Sequence, residues 1–382
     1  MTGRPGALGA PAPPPASPPA EAAEGVEHAL RVRLGYRPAL DGLRAVAILA
    51  VMASHTWEWL VPGAFIGVDI FFVLSGFLIT TLLLEERART GRVSLRKFYA
   101  RRALRLLPAL GGLVLAAGLW ILVTSPTPLR SASIRGLPAA VFYSSNWLFG
   151  LLRVDLGIFG HTWSLSLEEQ FYVLWPAALL LILAWRRGTA KTALTACVLA
   201  ILFAAAVRWH VADLNTSEAG VRRLTNLRFD VPLVGCALAL AAWRGWFARV
   251  PARVATVVTA ASLAVLVFFG TIARGGLTDI RFYRGGLTLV ALAAAVLIVR
   301  VVYVPSRPLL AVLSSKPLVW IGRISYALYL WHTPIRDVLA GSVGHSPWRA
   351  LVVWPLAFGA ATASYFLIER PALRLKDRLV AR

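Results

Sequence analysis

The chain is poor in cysteine, in acidic residues and in charge of any kind, and each shortage excludes a class of protein. Its two cysteines, Cys197 and Cys236, both sit in apolar stretches with no metal-ligand spacing around them. No disulfide framework and no metal site follow from them. Only 15% of residues are charged, with 18 Asp and Glu against 40 Lys and Arg. A soluble chain of 382 residues needs a polar exterior, and this composition cannot supply one. A basic n-region followed by an apolar h-region is also missing, so no cleaved signal peptide is expected. Residues 1–30 are rich in Pro and Ala with little aliphatic content, which predicts a disordered cytoplasmic tail. No internal repeat and no second soluble domain is visible.

What remains is apolar. Hydrophobic residues make up 58% of the chain, against roughly 45–50% in ordinary soluble domains. Mean hydropathy is +0.68. Runs near the twenty residues needed to cross a bilayer recur along most of the sequence. The expected fold is therefore all-α and integral to the membrane, a bundle of about ten transmembrane helices. The expected spans are 39–57, 64–84, 104–124, 165–185, 193–211, 228–243, 254–272, 283–303, 318–340 and 348–367. A further apolar stretch, 136–152, is interrupted by Pro138 and by Ser144-Ser145-Asn146, and reads as an interfacial or re-entrant piece buried in protein. An even number of spans puts both termini on one side. Lys and Arg favour that side by more than two to one, counting only Arg44 and Arg323 as inside helices. Basic residues collect in cytoplasmic loops, so both termini are expected in the cytoplasm. Residues 31–375 form the polytopic domain and 376–382 a basic cytoplasmic tail. The formal charge of +22 is thus topological. No basic face alternates with aromatics as a nucleic-acid platform would, and no nucleic-acid partner is expected.

Charged groups inside spans are costly and become functional candidates. The first span holds Asp41, Arg44 and His55. Arg44 and His55 are three helical turns apart, on one face and roughly 16 Å apart along the axis. Asp69 opens the second span, and Ser75-Gly76 interrupts its apolar run, either as a packing notch or as a place where a ligand approaches. Arg102 and Arg105 in RKFYARRALRLLP share a helix face by their spacing. They suit phosphate oxygens, or serve only as cytoplasmic anchors. The segment GHTWSLSLEEQFY brings His161, Trp163, Ser164, Glu168 and Glu169 to the mouth of the fourth span. One carboxylate there could be a capping partner of Ser164 or Ser166. WIGRISYALYLWHTPI sets Arg323, Tyr326, Tyr329 and His332 at helical spacing, as a functional array or an interfacial belt.

Arg44 with His55 eleven residues on, then GVDIFFVLSGF, Arg102-x-x-Arg105 after FY, HTWSLSLEEQFY and SYALYLWHTPI run in order from Tyr36 to Pro371. This series resembles the motifs of the acyltransferase family 3 membrane enzymes, bacterial O-acyltransferases of surface polysaccharides, lipopolysaccharide, Nod factors and some antibiotics. The resemblance implies a multi-pass protein of the bacterial cytoplasmic membrane with a cytoplasmic acyl-CoA donor, acetyl-CoA above all, as co-substrate and no permanently held cofactor. It implies a hydroxyl acceptor, usually on a sugar, and essential roles for Arg44 and His55. Some members carry an added periplasmic esterase domain; the chain stops soon after its tenth span, and that domain is expected to be absent.

On this reading Arg44, Arg102, Arg105 and Ser75 meet the donor. His55 is the general base that deprotonates the acceptor hydroxyl. A carboxylate, Asp69 or Glu169, orients its imidazole. His161, Trp163, Tyr326 and His332 line the acceptor side. The rival class is a proton-coupled transporter or flippase, which also buries Arg, His and Glu.

Overall fold

The computed structural model describes residues 34–185, 188–214, 228–272, 279–343 and 347–381, and the expected tail 1–30 lies outside them. Among the described residues the ordered elements are helices, with no strand. The principal ones are α1 Pro38–Thr56, α2 Gly67–Thr90, α3 Leu95–Val123, α4 Pro128–Val141, α5 Trp163–Ala184, α6 Ala190–Leu214 and α7 Asp230–Trp243. There follow α8 Ala252–Ile272, α9 Leu287–Val302, α10 Arg307–Leu313, α11 Lys316–Arg323, α12 Ser325–Val343, α13 Ala350–Ser364 and α14 Arg370–Ala381. Eight helical segments are long and apolar enough to cross a bilayer. Asp230–Trp243 is apolar but only 14 residues long. Ser325–Val343 has the length but carries Arg336 and Asp337.

Local sequence explains several boundaries. Ser94 and Thr127 accept hydrogen bonds from the main chain of Lys97 (3.3 Å) and Arg130 (3.0 Å), starting α3 and α4. Gly91 ends α2 with a left-handed φ of 72°, a conformation in which a Cβ is strained. The expected span 318–340 is instead two helices, α11 and α12, broken at Ile324. Pro138 does not interrupt its segment; α4 runs on to Val141, and the turn comes at Tyr143, whose φ is +50°. Beyond it Ser145 and Asn146 are fully buried, the one bonded to Ser166 and Thr162 and the other to Gln170. The basic end at 370–381 is helical.

Two helix pairs approach at main-chain distance. A Cβ on Gly76 would lie 2.0 Å from the Pro232 carbonyl oxygen, and one on Gly235 would lie 2.0 Å from that of Val73, so α2 and α7 notch each other reciprocally. Gly42 against Leu313 and Gly322 against Asp41, each 1.9 Å, lock α1 to the α10–α11 corner in the same way. In a lipid solvent such contacts take the place of the hydrophobic effect. Gly76→Ala is expected to lower the melting temperature of the detergent-solubilised protein, because overpacking costs about 1–3 kcal/mol. Gly111, which has nothing within 4 Å of its added Cβ, is the control. Equal melting temperatures for the Gly76 and Gly111 alanine variants would show that α2 and α7 are not held by this contact.

Candidate active site

A cavity of about 590 Å³ follows α2 from Arg89 to Val68. At 1.5 Å per residue that stretch covers roughly 30 Å, so the cavity is a tunnel and not a bowl. Arg89, Arg101, Glu85 and Glu86 surround one end. Arg44, Arg102, Arg105, Ser75, Glu168 and Tyr326 line its middle, and Ser164, Leu165 and Tyr329 the other end. The donor residues expected from the sequence are thus brought together.

Their surroundings differ. Arg44 donates to Ser325 Oγ at 3.0 and 3.2 Å. The Arg102 guanidinium lies 3.4 Å from the Tyr172 ring centroid and 3.6 Å from Glu168. Glu168 also accepts from Ser75 and Tyr172, whose hydroxyl oxygens lie 2.7 Å apart. Arg105 is exposed to the tunnel. No carboxylate pairs with Arg44 or Arg105 among the described residues. Ser75 faces the tunnel and Gly76 faces α7, so the adjacent residues divide the two readings between them.

The carboxylate of the site is Glu168. Glu169, one residue and about 100° further round α5, is not part of the tunnel wall. Neither Glu169 nor Asp69 is hydrogen-bonded to His55 in the structure. Asp69 is fully buried against Arg228 at 3.4 Å, in a cluster continued by Arg208 and Asp230 at 2.5 Å and by Thr288. Ser164 and Ser166 cap no carboxylate either; the first bonds Tyr329 and the second the Thr162 carbonyl.

The partner of His55 is His332. Their rings stack with an interplanar angle of 18°, and His55 Nδ1 lies 3.0 Å from His332 Nε2. The tautomers follow from the neighbours. His332 Nδ1 faces the carbonyls of Leu328 (3.0 Å) and Tyr329 (2.9 Å), which only accept, so it carries the proton. In the neutral ring Nε2 is then an acceptor, available to the Thr333 hydroxyl at 3.0 Å and to His55. When His55 Nδ1 is the donor to that nitrogen, His55 keeps the lone pair on its own Nε2, the form a base or nucleophile requires. Arg349 holds the carbonyls of His55 (2.7 Å) and Thr56 (3.3 Å), fixing the end of α1.

His161 completes a cluster of three histidines, its ring 5.9 Å from that of His332. Trp163 lies beside Arg228, 5.3 Å from ring centroid to guanidinium, and so belongs to the buried ionic cluster. Tyr326 donates to the Leu106 carbonyl at 3.3 Å. Sequence reasoning missed Ser325 and Tyr172 as members of the site, although each stands within four residues of a residue already singled out. Tyr329, singled out there as part of a functional array or an interfacial belt, lines the tunnel.

The family described as "Acyltransferase domain" matches residues 37–370. The chain is 36% identical over 365 residues to a protein of Listeria monocytogenes named peptidoglycan O-acetyltransferase OatA, covering 88% of this chain and 56% of that one. It is 34% identical over 360 residues to the putative peptidoglycan O-acetyltransferase YrhL of Bacillus subtilis, covering 88% and 55%. The O-acetyltransferase OatA of Staphylococcus aureus is 34% identical over 312 residues, covering 78% and 50%. No solved structure matches. The chain spans about half the length of these curated relatives. With the family match running over residues 37–370, nearly the whole described chain, the chain belongs to the acyltransferase domain family.

Proposed function

We propose that this protein is a membrane-embedded O-acyltransferase of the bacterial cytoplasmic membrane that moves an acetyl group from acetyl-CoA to a carbohydrate hydroxyl. The observation that carries this reading is the tunnel with Arg44 and Arg105 unpaired along it and the His55–His332 pair beyond its far end. A positive charge within a bundle calls for an anionic partner, and arginine forks fit phosphate oxygens. In this reading the Arg89 end opens to the cytoplasm, ten helices cross the membrane and both termini are cytoplasmic. The names of the relatives support a peptidoglycan or related glycan as the acceptor.

The chemistry follows from the residues. His55 Nε2 takes the proton of the acceptor hydroxyl as its oxygen attacks the thioester carbonyl. The new ester C–O bond forms, the C–S bond breaks, and the imidazolium returns its proton to the departing thiolate. His332 keeps His55 in the correct tautomer throughout.

Purified protein in liposomes, given radiolabelled acetyl-CoA with and without muropeptides, tests the proposal. Label should move to the glycan with matching release of CoA. No release under any condition would overturn the donor, and release without glycan labelling would overturn the acceptor. Arg105→Ala should raise the KM for acetyl-CoA about tenfold or more with a smaller change in kcat, as for a contact equal in ground and transition states. An unchanged KM would leave Arg105 as a topological anchor.

A further inference from the structure

The tunnel does not reach the histidines. None of His55, His161 and His332 lines it, although Ser164 and Tyr329 at its end are their immediate neighbours. One side chain, Tyr329, both lines the tunnel and touches two of the histidines. Its ring centroid lies 5.5 Å from that of His161 and 5.6 Å from that of His332. Tyr329 is 8% exposed, and its hydroxyl is held from two directions, by Ser164 Oγ at 2.5 Å and by the His161 carbonyl at 2.9 Å. One proton arrangement satisfies both contacts: Ser164 donates to the tyrosine oxygen and the tyrosine donates to the carbonyl. The ring is thus held in place in the tunnel wall.

We propose that Tyr329 is the stop that sets the length of the acyl group, a specificity-determining residue that admits acetyl and excludes longer chains. This rests on the acyl-CoA reading above. A donor whose phosphates are held at the arginines has its acyl terminus furthest along the tunnel, where Tyr329 stands. Because the anionic end is anchored, each added methylene presses on the tyrosine ring and cannot be relieved by sliding back. A latched ring does not yield as a loose side chain would. The same geometry lets the ring be removed without moving the catalytic pair, because His332 is bonded to the main-chain carbonyl of Tyr329 and not to its phenol.

The test is the ratio of kcat/KM for acetyl-CoA to that for butyryl-CoA, measured on reconstituted protein with a muropeptide acceptor. The wild type is expected to favour acetyl by at least tenfold, since one methylene in an apolar pocket discriminates by about 10–200-fold. Tyr329→Ala should lower that ratio at least tenfold. Tyr329→Val is the second variant should the alanine protein not purify. Tyr329→Phe keeps the ring but not the latch, and should lower the ratio clearly less than Tyr329→Ala does. A variant that merely damages the fold lowers both donors together and leaves the ratio alone. A wild type that uses acetyl-CoA but shows the same ratio in the Ala and Val variants overturns the role of Tyr329 alone. A phenylalanine ratio that falls as far as that of alanine also overturns it. A wild type that uses neither donor overturns the acyl-CoA reading itself, and this inference with it.

Discussion

His332→Ala should abolish acyl transfer as completely as His55→Ala, although in the proposed reaction only His55 touches the acceptor. General-base catalysis contributes about 10²–10⁴-fold, and His55 holds the required lone pair on Nε2 only while His332 Nε2 accepts its Nδ1 proton. Without His332 the other tautomer becomes available and the ring loses its stacked neighbour. Each single variant should lose at least 10²-fold in kcat, and the double variant little more, because residues that act as a unit are not additive. Detergent-solubilised yield must be measured beside the rate, to separate folding from chemistry. Activity above about a tenth of wild type in His332→Ala would dissolve the pair as a unit. Asp69→Asn and Glu169→Gln should spare the chemical step by comparison, since neither carboxylate contacts His55; Asp69 is committed to Arg228.

Asp69→Ala should instead destabilise the fold by about 3–5 kcal/mol, because removing one partner of a buried ion pair strands the other charge. Both side chains of the Asp69–Arg228 pair are fully buried, as are both of the Arg208–Asp230 pair. Together they join α2, α6, α7 and, through Thr288, α9. Thermal unfolding in detergent reads the loss directly. The double variant Asp69→Leu with Arg228→Met should recover most of it, since a whole pair replaced by apolar groups of similar volume is often close to neutral. If the single and double variants melt alike, the cluster's importance lies outside this ion pair. A single variant that melts with the wild type would remove Asp69 from the stabilising framework altogether.

The apolar runs made most of the fold legible, since a lipid solvent demands helices and their lengths mark them. The break at Ile324 was not legible, because Arg323-Ile324-Ser325 contains neither proline nor glycine to announce it. The arginine spacing put Arg102 and Arg105 on one helix face, and both line the tunnel. The choice between Glu168 and Glu169 could not be read, since neighbours on a helix point about 100° apart and only packing says which one faces inward. The pairing of His55 with His332 spans 277 residues and is wholly tertiary. Counting charges by side hid a different feature. Arg208 and Arg300 lie within α6 and α9, and Arg102 and Arg105 within α3, so they are not loop residues. Arg208 is fully buried and tied to Asp230.

The reciprocal glycine contacts also distribute stiffness around the tunnel. Where α2 meets α7 the main chains touch, so that wall has no side-chain layer to compress and cannot yield. Gly322 against Asp41 clamps α11 onto α1 with the same rigidity, directly before the break at Ile324. The helix beyond that break, α12, carries Ser325, Tyr326, Tyr329 and His332. The rest of the tunnel wall comes from α1, α3, α5 and α12, and among the described residues no such glycine contact ties α3, α5 or α12 to α2, so any widening of the tunnel falls to that side.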